Sequence, residues 1–311
     1  MRFFNYEHFN DLNFLLELKR GQGVRIGVAL PVCNEEKTIG RTIEIIQSCG
    51  ALVDETIALD SGSHDESSDI CKRYGIPMID DSETAQKFGI PLSRGKGWNL
   101  WSSLYHLDTD IILWIDSDIQ NIDSRFITGL VGPLLVNKEL QFIKGCYNRP
   151  KGDARVTELM ARPLISLFFP ELKDFIQPLS GEYGGRRATL ERMEFYSGYS
   201  VEMALLIQTI KMLSADEIAQ VYLGERIHKL QDVPALGKMS ASILKTVLRM
   251  ASEHDRIHIL SSIDEPLYQY VMDGTSSFKS IDIHITDVCL PPMITINSYL
   301  EKIAQSDSIA V

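Results

Sequence analysis

The chain has 311 residues, 44% of them hydrophobic and 23% charged, and a net charge of −11, which is ample apolar material for one large or two small globular units. This composition excludes a disordered polypeptide, and the acidic balance excludes partners held through a broad basic face, such as nucleic acid or an anionic lipid surface. A small anionic substrate is compatible with it, given a locally basic pocket or a bound cation.

No run approaches the ~20 apolar residues that span a bilayer, and the first residues (Met1, Arg2, Phe3, Phe4, Asn5, Tyr6, Glu7) lack the apolar centre of a secretory signal. A cytoplasmic protein is expected. Cys33, Cys49, Cys71, Cys146 and Cys289 are odd in number, scattered and never spaced C-x-x-C, which points to reduced thiols and away from a disulfide framework or a zinc site.

Residues 1–22 read as a helical extension. Residues 24–32 are a short apolar, β-branched run containing Pro31, and residues 34–49 then place Ile39, Ile43 and Ile46 at helical spacing, so a strand followed by a helix is predicted. Residues 55–59 repeat the apolar run and stop at Asp60-Ser61-Gly62-Ser63; residues 66–74 read as helix and 76–79 as a third short strand. This βαβαβ alternation predicts a mostly parallel sheet with helices on both faces, with ligands bound where loops leave the carboxyl ends of the strands. A helix over 98–107 leads into Ile111-Ile112-Leu113-Trp114-Ile115, the most strand-like run of the chain, which ends in Asp116-Ser117-Asp118. Residues 126–135 predict a helix, 140–144 a strand, 156–167 an amphipathic helix, 220–228 a strand and 239–258 a helix. Beyond Asp264 the chain, with Pro291-Pro292, reads as loop and helix.

Two carboxylates at the end of a buried strand, Asp116 and Asp118, can join a divalent cation to a diphosphate, and oxygen ligands suit magnesium or manganese. An isolated D-x-D is more often just a polar strand end; the apolar run before it supplies the context. Asp60-Ser61-Gly62-Ser63-His64-Asp65 can face a base or ribose, or can equally cap a helix through Ser63 or Asp65. Arg94-Gly95-Lys96-Gly97 opens a helix, and its amides and lysine can hold a phosphate or ribose; alone it is more often a solvated turn.

Read together with Leu30-Pro31-Val32-Cys33-Asn34-Glu35-Glu36, these motifs resemble the GT-A family of nucleotide-sugar transferases. Arg155-Val156-Thr157-Glu158-Leu159, Gln177-Pro178-Leu179-Ser180-Gly181-Glu182-Tyr183, Gly198-Tyr199-Ser200-Val201-Glu202 and Leu223-Gly224-Glu225-Arg226-Ile227-His228 narrow the resemblance to the glucosyl-3-phosphoglycerate synthase family, over residues 24–240. It implies an α/β GT-A, Rossmann-like nucleotide-sugar-binding fold with a mixed, mainly parallel sheet and a mostly helical C-terminal acceptor region. The expected units are the extension 1–22, a nucleotide-sugar-binding half 23–150, an acceptor-binding half 151–254 and a C-terminal extension 255–311 suited to dimerisation.

The resemblance further implies retaining transfer of glucose from UDP-glucose or GDP-glucose to the 2-hydroxyl of D-3-phosphoglycerate, assisted by Mg2+ or Mn2+ in a homodimer. It places Pro31, Glu35, Ser61, Lys96, Asp116, Ser117 and Leu179 at the nucleotide sugar, Asp118 and His228 on the metal, and Tyr199 and Glu202 beside the reacting sugar. Arg155, Thr157, Met239 and Ser240 fall to the acceptor, where a guanidinium fork and a hydroxyl suit a phosphate. From spacing alone His228 reads as a structural histidine and Arg155 as a helix surface residue. Lys229 and Leu230 follow His228 where the family has a polar residue two places on, so the acceptor contacts of that loop are not carried over. The alternatives are a mannosyl-3-phosphoglycerate or mannosylglycerate synthase using GDP-mannose, a lipid-acceptor enzyme that the missing membrane segment disfavours, and a nucleotide-sugar-binding protein without turnover.

Overall fold

Strands with both faces buried set the frame. The structure is a computed structural model that describes residues 1–149, 154–229, 231–272, 274 and 278–309; the expected boundary at 150/151 and Leu230 lie outside them. The chain opens with β1 (Arg2–Asn5) and α1 (Leu12–Gln22), then alternates β2 (Ile26–Val32), α2 (Ile39–Ser48), β3 (Glu55–Asp60), α3 (Ser67–Arg73), β4 (Met78–Asp80) and α4 (Asp81–Phe88). The predicted βαβαβ order is present. Helix α5 (Lys96–His106) precedes β5 (Ile111–Trp114), whose four residues are all buried, and α6 (Arg125–Val136) precedes β6 (Phe142–Asn148).

The second half carries α7 (Arg162–Phe168), β7 (Tyr183–Arg186), α8 (Arg187–Leu190), β8 (Phe195–Tyr196), α9 (Val201–Met212), β9 (Ile218–Glu225) and α10 (Val233–Glu253). A hairpin of β10 (Leu267–Met272) and β11 (Phe278–Ile283), the short β12 (Cys289–Leu290) and α11 (Asn297–Ile309) complete it. Among the described residues the main sheet has the order β1-β9-β6-β7-β5-β2-β3-β4. Strand β7 is antiparallel to both β5 and β6, and the other pairs are parallel, so the sheet is mixed and mainly parallel, as expected. Alternate residues feed two cores: Ile111 and Leu113 pack with α2 and α6 on one face, Ile112 and Trp114 with α5 and α9 on the other.

Four expectations change. Residues 2–5 are not helical but pair with β9 as a parallel edge strand. The helix expected over 156–167 starts with a π-turn, Thr157–Ala161, before α7. The tail beyond Asp264 contains the β10–β11 hairpin, where only loop and helix were expected. Strand β7 was missed because Tyr183-Gly184-Gly185-Arg186 has no β-branched residue and no apolar run. No helix among the described residues is long and apolar enough to cross a membrane.

Candidate active site

The carboxyl ends of β2, β3 and β5 open onto a cavity of about 420 Å3, within the size range of small-molecule sites. Pro31, Glu35, Ser61, Lys96, Asp116, Ser117, Asp118, Leu179, Tyr199, Glu202 and His228 line it, as do Arg155, Thr157 and Met239. Of the residues that the family resemblance assigns to substrates or metal, Ser240 alone does not. Along α10 the lining residues are Leu236, Met239 and Ile243; Ser240, about 100° round the helix from Met239 and about 40° from Leu236, sits at the edge of that face and does not line the cavity.

A chain of ion pairs organises the centre. Lys96 Nζ lies 2.6 Å from Asp116 Oδ1 and 2.7 Å from Glu202 Oε1. Arg226 Nη2 lies 3.1 Å from Asp116 Oδ2 and 3.0 Å from Asp118 Oδ1, while its Nε donates to Glu182 Oε1 at 2.9 Å. Burial pushes the Asp116 carboxyl up, but Lys96 and Arg226 outweigh it and hold Asp116 below the usual carboxylate range. At Asp118 burial prevails over Arg226 and the carboxyl is raised. A Cβ on Gly181 would fall 1.9 Å from Asp116 Oδ2, so only glycine lets the 179–181 wall approach this carboxylate.

His228 reaches the centre through backbone pairing. It forms an isolated antiparallel bridge with Ile119, and the Gln120 N–H donates to the Ile227 carbonyl at 2.8 Å. Asn121 fastens the same segment, accepting from the Ile227 N–H and donating to the Glu225 carbonyl, each at 2.8 Å. The imidazole thus stands on the same wall as Asp118 although 110 residues separate the two positions.

At one end of the cavity the two loops after β2 and β3 interlock. The Asn34 N–H donates to Ser63 Oγ at 3.0 Å, the His64 N–H to Asn34 Oδ1 at 2.8 Å, and the Glu36 N–H to Asp65 Oδ2 at 3.0 Å. Ser63 and Asp65 are therefore committed to joining the loops. The Ser61 hydroxyl is buried beside the Asp81 carboxyl without a well-formed hydrogen bond to it, and burial raises the Glu35 carboxyl to about 7. Ser117 contributes shape more than a free hydroxyl, since its Oγ donates to the Pro31 carbonyl at 2.9 Å.

The Arg94-Gly95-Lys96-Gly97 motif works differently from its sequence reading. The Gly97 and Trp98 amides donate to the carbonyls of Gly198 and Ser197 at 3.2 and 3.0 Å, so they do not wait for a phosphate. A Cβ on Gly97 would meet Tyr196 O at 1.7 Å; the glycine serves this backbone approach. Arg94, Gly95 and Lys96 are the part of the motif that faces the cavity.

At the other end Thr157, buried, lies in the π-turn, a local widening common at functional sites. Arg155 faces the cavity and donates to the Gln231 carbonyl at 3.1 Å. Arg94 and Arg149 also line the wall, so five cations, with Lys96, Arg155 and Arg226, surround a cavity in a chain of net charge −11. Sequence reasoning assigned no role to Arg226, Glu182, Arg94, Arg149 or Lys144. Lys144 is 1% exposed, donates to the Ser180 carbonyl at 2.8 Å and stands 4.0 Å from the Tyr183 ring centre; burial brings its amine down to about 7. Arg226 and Glu182 sit inside quoted motifs, and a lone buried pair leaves no periodic signal.

The chain matches the glycosyl transferase family 2 model over residues 27–193. It is 41% identical to glucosyl-3-phosphoglycerate synthase from Petrotoga mobilis, over 99% of this chain and 98% of that protein. A crystal structure of glucosyl-3-phosphoglycerate synthase from Mycobacterium tuberculosis with Mn2+, UDP and glucosyl-3-phosphoglycerate is similar at 36% identity and TM-score 0.82, covering 92% of this chain and 96% of that one. The same enzyme is known with Mn2+, UDP-glucose and phosphoglyceric acid, and with Mg2+ and UDP. Mannosyl-3-phosphoglycerate synthase from Rubrobacter xylanophilus is similar at 29% identity and TM-score 0.88, covering 95% of this chain and 97% of that one. With its family model spanning strands β2 to β7 of the main sheet and a 41% identical relative spanning nearly every residue, the chain is a glycosyltransferase that belongs to glycosyl transferase family 2 and, within it, to the glucosyl-3-phosphoglycerate synthases.

Proposed function

We propose that this chain transfers glucose from UDP-glucose to the 2-hydroxyl of D-3-phosphoglycerate with retention of configuration, in the cytoplasm. One observation carries the reading: a single cavity joins Asp118 and His228 to Arg155 and Thr157, an arrangement suited to a diphosphate leaving group at one end and a phosphorylated acceptor at the other. The complexes of the Mycobacterium tuberculosis relative with UDP-glucose and phosphoglyceric acid support the same pair of substrates.

Asp118 and His228 would hold the divalent cation, Mg2+ or Mn2+. A carboxylate oxygen and an imidazole nitrogen suit either ion; among the described residues no cluster of three or more His, Cys, Asp or Glu stands there, so the diphosphate oxygens would have to complete the ligand set. When bound, the cation would neutralise the charge that builds on the departing diphosphate. Ser61 and Glu35, with Pro31, would hold the base and ribose. Lys96, between Asp116 and Glu202, would fix the donor's phosphate and sugar end; Tyr199 and the Leu179 wall would exclude water from it. Glu202 would orient sugar hydroxyls, its carboxylate being spent on Lys96. Arg155 and Thr157 would anchor the acceptor phosphate, with Met239 packed beside it.

In the step itself the 2-hydroxyl oxygen bonds to the anomeric carbon as the bond from that carbon to the phosphate oxygen breaks. Its proton passes to the departing phosphate on the same face. The products are UDP and glucosyl-3-phosphoglycerate. Holding the two reactants together contributes on the order of 7–11 kcal/mol in favourable cases. The exposed Tyr270, Met272 and Phe278 of the β10–β11 hairpin, each 65–70% exposed, support a homodimer, which sedimentation of the purified chain tests. The reaction is tested by incubating UDP-glucose or GDP-glucose with 3-phosphoglycerate and reading the linkage of the product by NMR: an α-linked product from UDP-glucose is expected, and a β-linked one would contradict retention.

A further inference from the structure

The segment before β12 reaches the sugar end of the cavity from behind, through one carboxylate. The Ser200 hydroxyl donates to Asp287 Oδ2 at 2.8 Å, and the Ser242 hydroxyl donates to the same oxygen at 2.5 Å. Thr246 donates in turn to the Ser200 hydroxyl at 2.9 Å. All three hydroxyl-bearing residues are buried, at 0–3% exposure, so water does not stand in for these bonds. A Cβ on Gly198 would fall 2.0 Å from Asp287 Oδ1; the bare glycine admits the carboxylate. Val288 extends the tie, its carbonyl accepting from the Ser197 N–H at 2.9 Å and its N–H donating to Ser197 Oγ at 3.0 Å.

The loop held in this way carries the site. Ser200 directly precedes α9 but makes no capping bond to that helix, because its hydroxyl is committed to Asp287. Tyr199 is its neighbour, and Glu202 lies in the first turn of α9. On the opposite side, the Ser197 and Gly198 carbonyls accept from the first turn of α5, next to Lys96. Both partners of the Lys96–Glu202 ion pair therefore rest on backbone that residues 287 and 288 fasten to α10.

We propose that Asp287 is a positioning residue for the sugar end of the site, acting through Ser200 and Ser242 on the Tyr199–Glu202 segment. It does not line the cavity and touches no substrate. The inference rests on the transferase reading of the cavity, and it gives the C-terminal extension a part in turnover that no family motif indicated.

The test compares wild type with Asp287→Ala, Asp287→Asn and Ser242→Ala for melting temperature, UDP binding by calorimetry, and kcat and KM with UDP-glucose and 3-phosphoglycerate. Asp287→Ala should lower kcat per UDP-binding site about ten-fold, with UDP affinity within about three-fold of wild type, because a small misplacement of reacting groups costs rate more than binding. Asp287→Asn keeps an acceptor oxygen for both hydroxyls and should restore kcat to within about two-fold. A purely structural Asp287 would lower the melting temperature and the active fraction while leaving kcat per binding site unchanged; that result, or an Asn variant no better than Ala, overturns the proposal. If Asp287→Ala does not fold, Ser242→Ala decides, a kcat about three-fold lower supporting it and an unchanged kcat overturning it. Wild-type protein that forms no product contradicts the transferase reading itself, and this inference with it.

Discussion

Arg226 Nε stands 2.9 Å from Glu182 Oε1, with their side chains 3% and 0% exposed, so a charge pair shut away from water supports the cation that also holds Asp116 and Asp118. Removing one partner of such a pair costs about 3–5 kcal/mol, because the other is left buried and uncompensated. Glu182→Gln should therefore lower unfolding stability by roughly this amount, measured by denaturant titration, whereas Glu182→Asp should lose less. A Gln variant as stable as wild type would remove the buried pair from the site's support.

Asp118→Ala should abolish turnover and weaken Mn2+ binding while leaving the circular dichroism spectrum unchanged. The side chain is at the cavity wall, and its removal opens no hole in either core. Mn2+ binding followed by electron paramagnetic resonance checks the metal role independently of activity. Retained Mn2+ affinity in this variant would remove Asp118 from the ligand set.

Arg155→Ala should raise the KM for 3-phosphoglycerate by about 10- to 100-fold, the worth of a lost hydrogen bond to a charged group. UDP affinity should stay unchanged, because the Arg155 guanidinium bonds to the Gln231 carbonyl, in the segment that leads into α10. Steady-state kinetics with each substrate varied in turn separates the two effects.

Gly181→Ala should lower kcat more than stability. The added methyl would sit 1.9 Å from Asp116 Oδ2 and 2.2 Å from its Cγ, forcing that carboxylate off Lys96 or the wall out of place. Overpacking of this kind typically costs about 1–3 kcal/mol. Paired measurement of kcat and melting temperature tells displacement of Asp116 from general loosening.

Lys144 gives a pH signature. Burial brings its amine down from 10.5 to about 7, so between about pH 7 and 10 the unfolded chain binds a proton that the folded protein does not. Stability relative to Lys144→Met should then rise with pH across that window, by up to about 1.4 kcal/mol per pH unit. Below about pH 7 the difference should level off. Denaturant titrations of both proteins at several pH values check the slope, and a flat difference would mean that the amine stays charged.

Much of the first half of the chain was legible because its signals are local. The run Ile111-Ile112-Leu113-Trp114-Ile115 announces a strand, and Asp116 and Asp118 must then sit at its end whatever surrounds them. His228 and Arg155 needed the family resemblance, since the bridge between Ile119 and His228 joins distant segments and no spacing rule anticipates it. The Arg226–Glu182 pair was hidden for the same reason. The glycines around Lys96 suggested phosphate-binding amides, yet tertiary contact with residues 196–198 claims those amides. The β10–β11 hairpin escaped notice because its strands mix exposed Tyr268, Tyr270 and Met272 with polar residues and bury almost nothing, which leaves no inward-facing apolar alternation to read.

The most direct test is product formation from UDP-glucose and 3-phosphoglycerate with Mg2+ or Mn2+, repeated after EDTA treatment. Glucosyl-3-phosphoglycerate formed with the metal and lost with EDTA is the predicted result. Turnover that persists at full rate in EDTA, or UDP-glucose that binds and is never transferred to phosphoglycerate, would contradict it.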